Sequence, residues 1–282
     1  MKSSLYFLVF ILGACIGSFL NCVIYRLEQK KSLSGRSFCP HCKRALSWQD
    51  LIPVFSFLFL AGKCRHCHKK ISVQYPLVEI ATGIIFLLIF LMSLRESPQA
   101  SVAIQSMCTK SLDCFVASLL AMTLWFYIAS ALIVIFVYDL KHYLIPDKVL
   151  FPAILMAFAY RLFENYASLP NYLLAAFIAS GFFLAIFLIS RGKWMGFGDV
   201  KLAVLMGLLL GFPNILAGLF LAFFFGAIIG VILMALPASL QGGQKKGLKS
   251  EIPFGPFLIA GTFMTMFWGE QLIQWYLKIF QI

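Results

Sequence analysis

The chain has 282 residues, of which 61% are apolar and only 12% charged, with a mean hydropathy of +0.91 and a formal net charge of +12. An ordinary soluble domain is about 45–50% apolar, so this composition excludes one and makes the bilayer the solvent. The excess of Lys and Arg argues for short cytoplasmic membrane loops and against nucleic acid binding, because it lies between apolar spans.

In chain order, the opening MKSSLYFLVFILGAC has the outline of a signal peptide, and Leu12-Gly13-Ala14-Cys15 that of a loose lipoprotein box. The apolar run continues through Phe19, Leu20, Val23, Ile24 and Tyr25 to Arg26, however, which is the length of a retained transmembrane helix. Further apolar stretches predict spans near 76–94, 114–138, 149–163, 171–190, 200–212, 214–236 and 254–277. With the first at 5–25, the expectation is an all-α membrane protein with a bundle of about eight transmembrane helices. With the N-terminus outside, the loops 26–75, 139–148, 191–199 and 237–253 face the cytoplasm. The first holds ten Lys or Arg against Glu28 and Asp50, whereas the opposite loops are neutral or slightly acidic, in keeping with the positive-inside rule.

Within 26–75, the apolar segment Leu51 to Ala61 is too short to span and reads as a packed or interfacial helix. The same loop carries Cys39-Pro-His-Cys42 and Cys64-Arg-His-Cys67, two CxxC pairs at the spacing of a structural zinc site. Each CxxC turn presents two thiolates to one ion, and nearby Lys and Arg favour the thiolate form. A disulfide or redox pair is the competing reading, which a reducing cytoplasm disfavours. Four cysteines close the shell, so Cys39, Cys42, Cys64 and Cys67 are expected to hold structure, with His41, His66 and His68 as flanking residues or substitute ligands. Cys15 and Cys22 fall in the first span as small apolar residues. Cys108 and Cys114 fall in the first external loop, where the compartment allows a disulfide.

Two aspartates lie at expected cytoplasmic ends of spans. Asp139 opens Tyr138-Asp-Leu-Lys-His-Tyr-Leu-Ile-Pro-Asp147, and Asp199 sits in Gly196-Phe-Gly198-Asp199-Val-Lys201. A carboxyl at that depth is costly, and function is its usual reason. Two carboxyls in one partly desolvated site share a proton, which suits peptide hydrolysis: one takes a proton from water while the other polarises the scissile carbonyl. Gly196 and Gly198 leave room for close backbone approach and an extended substrate. The simpler alternative makes each aspartate a helix cap or a partner of Lys141 or Lys201. Asp147, after Pro146, reads as a cap or a supporting group. Residues 237–250, rich in Gly, Gln and Lys, read as a polar connection.

These segments together resemble the type IV prepilin leader peptidase and N-methyltransferase family, within the membrane aspartyl proteases that carry a GxGD motif. The resemblance runs through Gly17-Ser-Phe-Leu-Asn21, the two cysteine pairs with Asp50-Leu-Ile-Pro53 and Tyr75-Pro-Leu-Val-Glu79, residues 138–147, residues 196–201 and Ile252-Pro-Phe-Gly-Pro256. The chain departs from the family pattern at Cys22, Leu27-Glu28 and Gln74, away from the aspartates and the cysteines. The resemblance implies a catalytic pair of Asp139 and Asp199, supported by Gly196, Gly198, Lys201 and Asp147. It implies cleavage of basic leader peptides from prepilins and pseudopilins at the cytoplasmic face of a bacterial inner membrane. N-methylation of the new terminus with S-adenosylmethionine would follow, at a site no residue here identifies. The implied organisation is a first helix at 1–25, a zinc-binding domain at 26–75 and an aspartyl peptidase domain at 76–282. Two rival readings are a proton-coupled transporter with Asp139, Asp199 and Glu79 as a relay, and a zinc-stabilised pilus or secretion scaffold without chemistry.

Overall fold

The computed structural model describes residues 2–107, 111–164, 166–235 and 253–280. Nine α-helices appear among them: α1 (Lys2–Glu28), α2 (Phe55–Phe59), α3 (Gln74–Met107), α4 (Ser111–His142), α5 (Asp147–Glu164), α6 (Leu169–Ser190), α7 (Phe197–Leu210), α8 (Asn214–Ala235) and α9 (Gly255–Phe280). Apart from the five-residue α2, each coincides with one of the eight apolar stretches. Five are long and apolar enough to cross a membrane: Ser4–Glu28, Gln74–Leu94, Leu119–His142, Tyr166–Ser190 and Asn214–Leu233. The others differ for physical reasons. Helix α5 carries Asp147, Lys148, Arg161 and Glu164, α7 has only 14 residues, and α9 dilutes its apolar residues with Thr262, Thr265, Glu270, Gln271 and Gln274.

The helices overrun the boundaries that hydropathy suggests. Helix α3 continues to Met107 and α4 begins at Ser111, so most of the expected external loop at 95–113 is helical. Polar residues such as Glu96, Gln99 and Gln105 are good or neutral helix formers that an apolar-window criterion rejects. Cys108 and the Cys114 side chain lie outside the described residues, as does the expected polar connection at 237–250.

The chain divides into two compact units, Met1–Val134 and Ile135–Ile282. In the first, α1 and α3 pack antiparallel in close backbone contact. A Cβ on Gly13 would lie 2.8 Å from Gly83 Cα, and one on Gly17 would lie 2.8 Å from Glu79 Cα. Asn21 Nδ2 donates to the Tyr75 carbonyl at 3.1 Å, and Tyr6 meets Phe90 edge to face. From Gly13 to Asn21 these partners advance four residues at a time along both helices, with Tyr6–Phe90 two turns further on, a seam with small residues at its centre of the kind that joins helices where lipid supplies no hydrophobic drive. Arg26, at the last turn of α1, is buried and donates to the carbonyls of Ser32, Ser34, Gly35 and Arg36. It folds the entry to the cysteine loop around itself, so its charge serves structure as well as topology.

In the second unit, α7 is the central element. From Asp199 to Leu210 almost every residue is buried. Gly207 makes this possible, because any Cβ there would collide with the Ala176 backbone of α6. Met206 and Leu210 lie against Gly218 of α8, and Gly261 of α9 lies against the Gly218 carbonyl. The far end of α7 is closed by Arg161 of α5. Its guanidinium donates to the carbonyls of Leu208 and Leu209 at 3.2 and 2.8 Å and lies 3.8 Å from the Tyr172 ring centroid. Helix C-termini leave carbonyls without partners, and a buried cation is the strongest available donor for them.

Candidate active site and metal centre

The cysteine cluster is built from two copies of one turn. In the first, Lys43 N–H donates to the Cys39 carbonyl at 2.9 Å and Cys39 N–H to the Arg44 carbonyl at 3.0 Å, with a bridge between Phe38 and Ala45. In the second, His68 N–H donates to Cys64 at 2.9 Å and Cys64 N–H to Lys69 at 2.9 Å, with a bridge between Lys63 and Lys70. Lys43 and His68 occupy the same left-handed position, at φ 57° and 53°. The two turns bring all four sulfurs within 4.8 Å of one another. A tetrahedral ion with bonds of about 2.3 Å needs sulfurs about 3.8 Å apart, so the donor set can hold a zinc ion with small adjustment. As thiols the four are unequal. Burial pushes the Cys39 thiol up, whereas N–H groups of Cys67 and His66 draw Cys64 down. His41, His66 and His68 do not join the cluster.

One ion pair fastens the second turn to the segment before it. Arg65 Nε donates to Asp50 Oδ1 at 2.8 Å, and Asp50 Oδ2 accepts from the Ser47 hydroxyl and backbone at 2.7 and 3.1 Å. Burial alone would raise the Asp50 carboxyl, but the Ser47 donors and Arg65 outweigh it and hold the group below the usual carboxylate range.

The aspartates belong to the second unit and come together there. Asp139 occupies the last turn of α4, which ends where Tyr143 turns left-handed and donates its N–H to the Asp139 carbonyl at 2.9 Å. Asp199 is the third residue of α7, so the GFGD segment is the helix start itself. Both side chains are buried, at 4% and 8% exposure, and lie close enough for their charges to act on each other directly. Each carboxylate meets the N-terminus of a helix. Asp199 accepts from the Gly196 N–H at the start of α7, and Asp139 from the Gly255 N–H at the start of α9. Those ends present unpaired N–H groups and partial positive charge, which lowers the cost of a carboxylate out of water.

Glycine decides how close these groups come. A Cβ on Gly255 would stand 2.5 Å from Asp139 Oδ2, and one on Gly198 would press on the Ile145 side chain at 3.1 Å. Gly196, by contrast, has only the Gly198 nitrogen nearby, at 3.9 Å, which leaves open space beside Asp199. Lys201 does not pair with either buried aspartate. It donates to both oxygens of Asp147 at 2.8 and 2.9 Å, so Asp147 ties the start of α5 to the first turns of α7. Asp199 thus keeps part of the capping role and loses the lysine-partner role that the simpler alternative gave it.

Sequence reasoning assigned no part to Ile145 or Gly255, although both touch the aspartate site. It also placed Glu79 in a possible relay. Glu79 instead lies in the first unit, where its Oε2 accepts the Val54 N–H at 2.7 Å and its carboxyl also meets Ser18. The spacing Gly13-xxx-Gly17-xxx-Asn21 was the available signal for the α1–α3 seam.

Two family models match the chain. Residues 11–93 match the bacterial peptidase A24 N-terminal domain, and residues 125–231 match the type IV leader peptidase family. Among curated relatives, the prepilin leader peptidase/N-methyltransferase of Bacillus subtilis is 33% identical, over 96% of this chain and 98% of the relative. Proteins of the same name from Legionella pneumophila and Aeromonas hydrophila are 30% and 29% identical, over 97% and 98% of this chain and 94% and 95% of the relatives. No solved structure matches.

Proposed function

Since this chain belongs to the type IV leader peptidase family, we propose that Asp139 and Asp199 hydrolyse the leader of prepilins and pseudopilins at the cytoplasmic face of a bacterial inner membrane. The chain is a prepilin leader peptidase/N-methyltransferase by family and by full-length likeness to its curated relatives. The single observation that carries the residue assignment is the meeting of two buried carboxylates, 60 positions apart, each accepting from a backbone N–H at the start of a helix. Nothing in the packing needs two acids there, and their mutual repulsion opposes it.

One carboxylate and one carboxylic acid are the groups that water attack on an amide requires. The ionised member takes a proton from water as the oxygen bonds to the scissile carbonyl carbon, while the protonated member donates to the carbonyl oxygen. Collapse of the tetrahedral intermediate breaks the C–N bond: the proton taken from water passes to the departing amine, and a hydroxyl of the intermediate returns a proton to the other carboxylate, leaving a carboxylic acid and the pair with its single shared proton. The open space beside Gly196 suits an extended peptide next to Asp199. The Lys201–Asp147 pair and Ile145 act as positioning groups, holding the starts of α5, α7 and α9 in register.

Cys39, Cys42, Cys64 and Cys67 bind one structural zinc in this reading. With four protein ligands the metal keeps no open position, so it holds the loop between α1 and α3 and takes no part in hydrolysis. S-adenosylmethionine serves as methyl donor for the second activity, and no described residue is assigned to it. All eight long helices lie in the membrane, the three less apolar ones within the bundle.

The test is mass spectrometry of a pilin-like peptide incubated with the purified protein, with and without S-adenosylmethionine. The expected products are a mature chain lacking its leader and, with the donor present, the same chain one methyl group heavier. Cleavage at the wild-type rate by Asp199→Asn would remove Asp199 from the mechanism.

A further inference from the structure

The segment from Trp48 to Phe59 carries more exposed apolar surface than a water-exposed loop normally does. It comprises a four-residue 3-10 turn, Trp48–Leu51, followed by α2. Neither piece buries a residue, so of the packed and interfacial readings the packed one fails. Trp48, Leu51, Ile52, Phe55, Leu58 and Phe59 are all exposed, Phe59 at 86%. Six exposed large apolar side chains within twelve residues mark a surface that something covers.

What covers it follows from where it is fastened. The Val54 N–H donates to Glu79, and Glu79 lies five residues inside α3, about 7.5 Å below its start at 1.5 Å per residue. Across the α1–α3 seam, Glu79 faces Gly17, eleven residues or about 16 Å from the end of α1. Both helices are candidate membrane spans. The hydrogen bond therefore pins the segment alongside the part of α3 that is apolar enough to cross a membrane.

The backbone is suited to that depth. The N–H groups of Val54, Phe55, Ser56, Leu58 and Leu60 are all bonded, to Glu79, Pro53, Ile52, Val54 and Ser56, which is the condition for entering a region poor in water. The flanks carry the complementary charge. Lys43 and Arg44 precede the segment, Lys63, Arg65, Lys69 and Lys70 follow it, and all are exposed. A short apolar stretch between cationic flanks matches the boundary between acyl chains and anionic headgroups.

We infer that the exposed apolar side chains of Trp48–Phe59 form an interfacial wedge, seated in the cytoplasmic leaflet among lipid acyl chains and tethered there by the Val54–Glu79 hydrogen bond, while the Asp50 carboxyl stays turned to Arg65 and Ser47 on the protein side. Glu79 is thereby a tether. The wedge fixes the cysteine domain against the membrane at a second point, besides its two covalent connections to α1 and α3.

The experiment uses the full chain in vesicles of phosphatidylethanolamine and phosphatidylglycerol, with a photo-reactive benzophenone amino acid replacing Phe59. The same replacement at Phe177, exposed on the membrane-spanning α6, is the lipid-facing reference, and that at Lys69 the water-facing one. Lipid adducts at position 59 should match the Phe177 yield and exceed the Lys69 yield several-fold. Glu79→Ala should bring position 59 down toward the Lys69 level with Phe177 labelling unchanged, while Glu79→Gln, which keeps an acceptor oxygen, should retain the adducts. Labelled Phe177 with no lipid adduct at position 59 would overturn the wedge, as would adducts at 59 formed with an added pilin-like peptide in place of lipid. Equal labelling at 59 in Glu79→Ala and wild type would overturn the tether. No hydrolysis is read, so failure here leaves the peptidase assignment standing.

Discussion

The two units each gather a small set of reactive side chains, by opposite means. In the first, four thiols are brought together by two short turns of the same design, each closed by hydrogen bonds between residues four or five positions apart. In the second, two carboxyls 60 positions apart meet where the last turn of α4 comes beside the starts of α7 and α9, with Gly255 bare against Asp139. Local construction suits a metal centre, which supplies the binding energy that holds the turns together. An acid pair repels itself, so its geometry has to be imposed by the surrounding bundle.

The sharpest way to break this contrast is to separate chemistry from folding. Asp139→Asn and Asp199→Asn should each lower cleavage by about 10³-fold or more, with helix content and thermal unfolding of the purified protein close to wild type. Either mutant cleaving normally would dissolve the pair. Cys42→Ser should behave in the reverse sense. Loss of an outer partner costs a metal site about 10–100-fold in affinity, so loss of a ligand should exceed that, and metal analysis should show the variant depleted and its first unit more readily proteolysed.

Gly255→Ala tests whether glycine sets the carboxyl position. The added methyl has no room beside Asp139 Oδ2, and displacing a catalytic group by about 1 Å costs roughly 10²-fold. Cleavage should fall by that order while metal content is unaffected. The smallest effect belongs to Asp50. Its folded carboxyl is held below the usual range, so its contribution to the cysteine domain is present at neutral pH and is lost as pH falls through that depressed value. Asp50→Asn should flatten the acid side of the domain's stability profile, followed by proteolysis of residues 26–75 across pH.

The same contrast explains what could be read beforehand. The cysteine turns are legible because their determinants are neighbours in the chain, and YDL and GxGD because intramembrane acids are costly enough to be conspicuous. Gly255 and Ile145 carried no such mark. Their importance lies in what stands opposite them, and that depends on helix packing which hydropathy does not encode. Arg26 counted as one more cytoplasmic cation until its four carbonyl partners appeared. Glu79 suggested proton transfer because an acid in a span usually does, and only the Val54 contact reveals a structural use. Helix ends were misjudged wherever amphiphilic residues continued a helix past its apolar window, as at 95–107.

The brevity of α7 has a consequence for the membrane itself. Fourteen residues rise about 21 Å, against a hydrocarbon slab of about 30 Å, so a helix of this length cannot reach both headgroup layers. Arg161 closes one end of the helix, and Asp199 stands at the other. On the proposed assignment, Asp199 would then lie short of one headgroup layer, and a leader peptide drawn out of the bilayer by a few residues would meet it there.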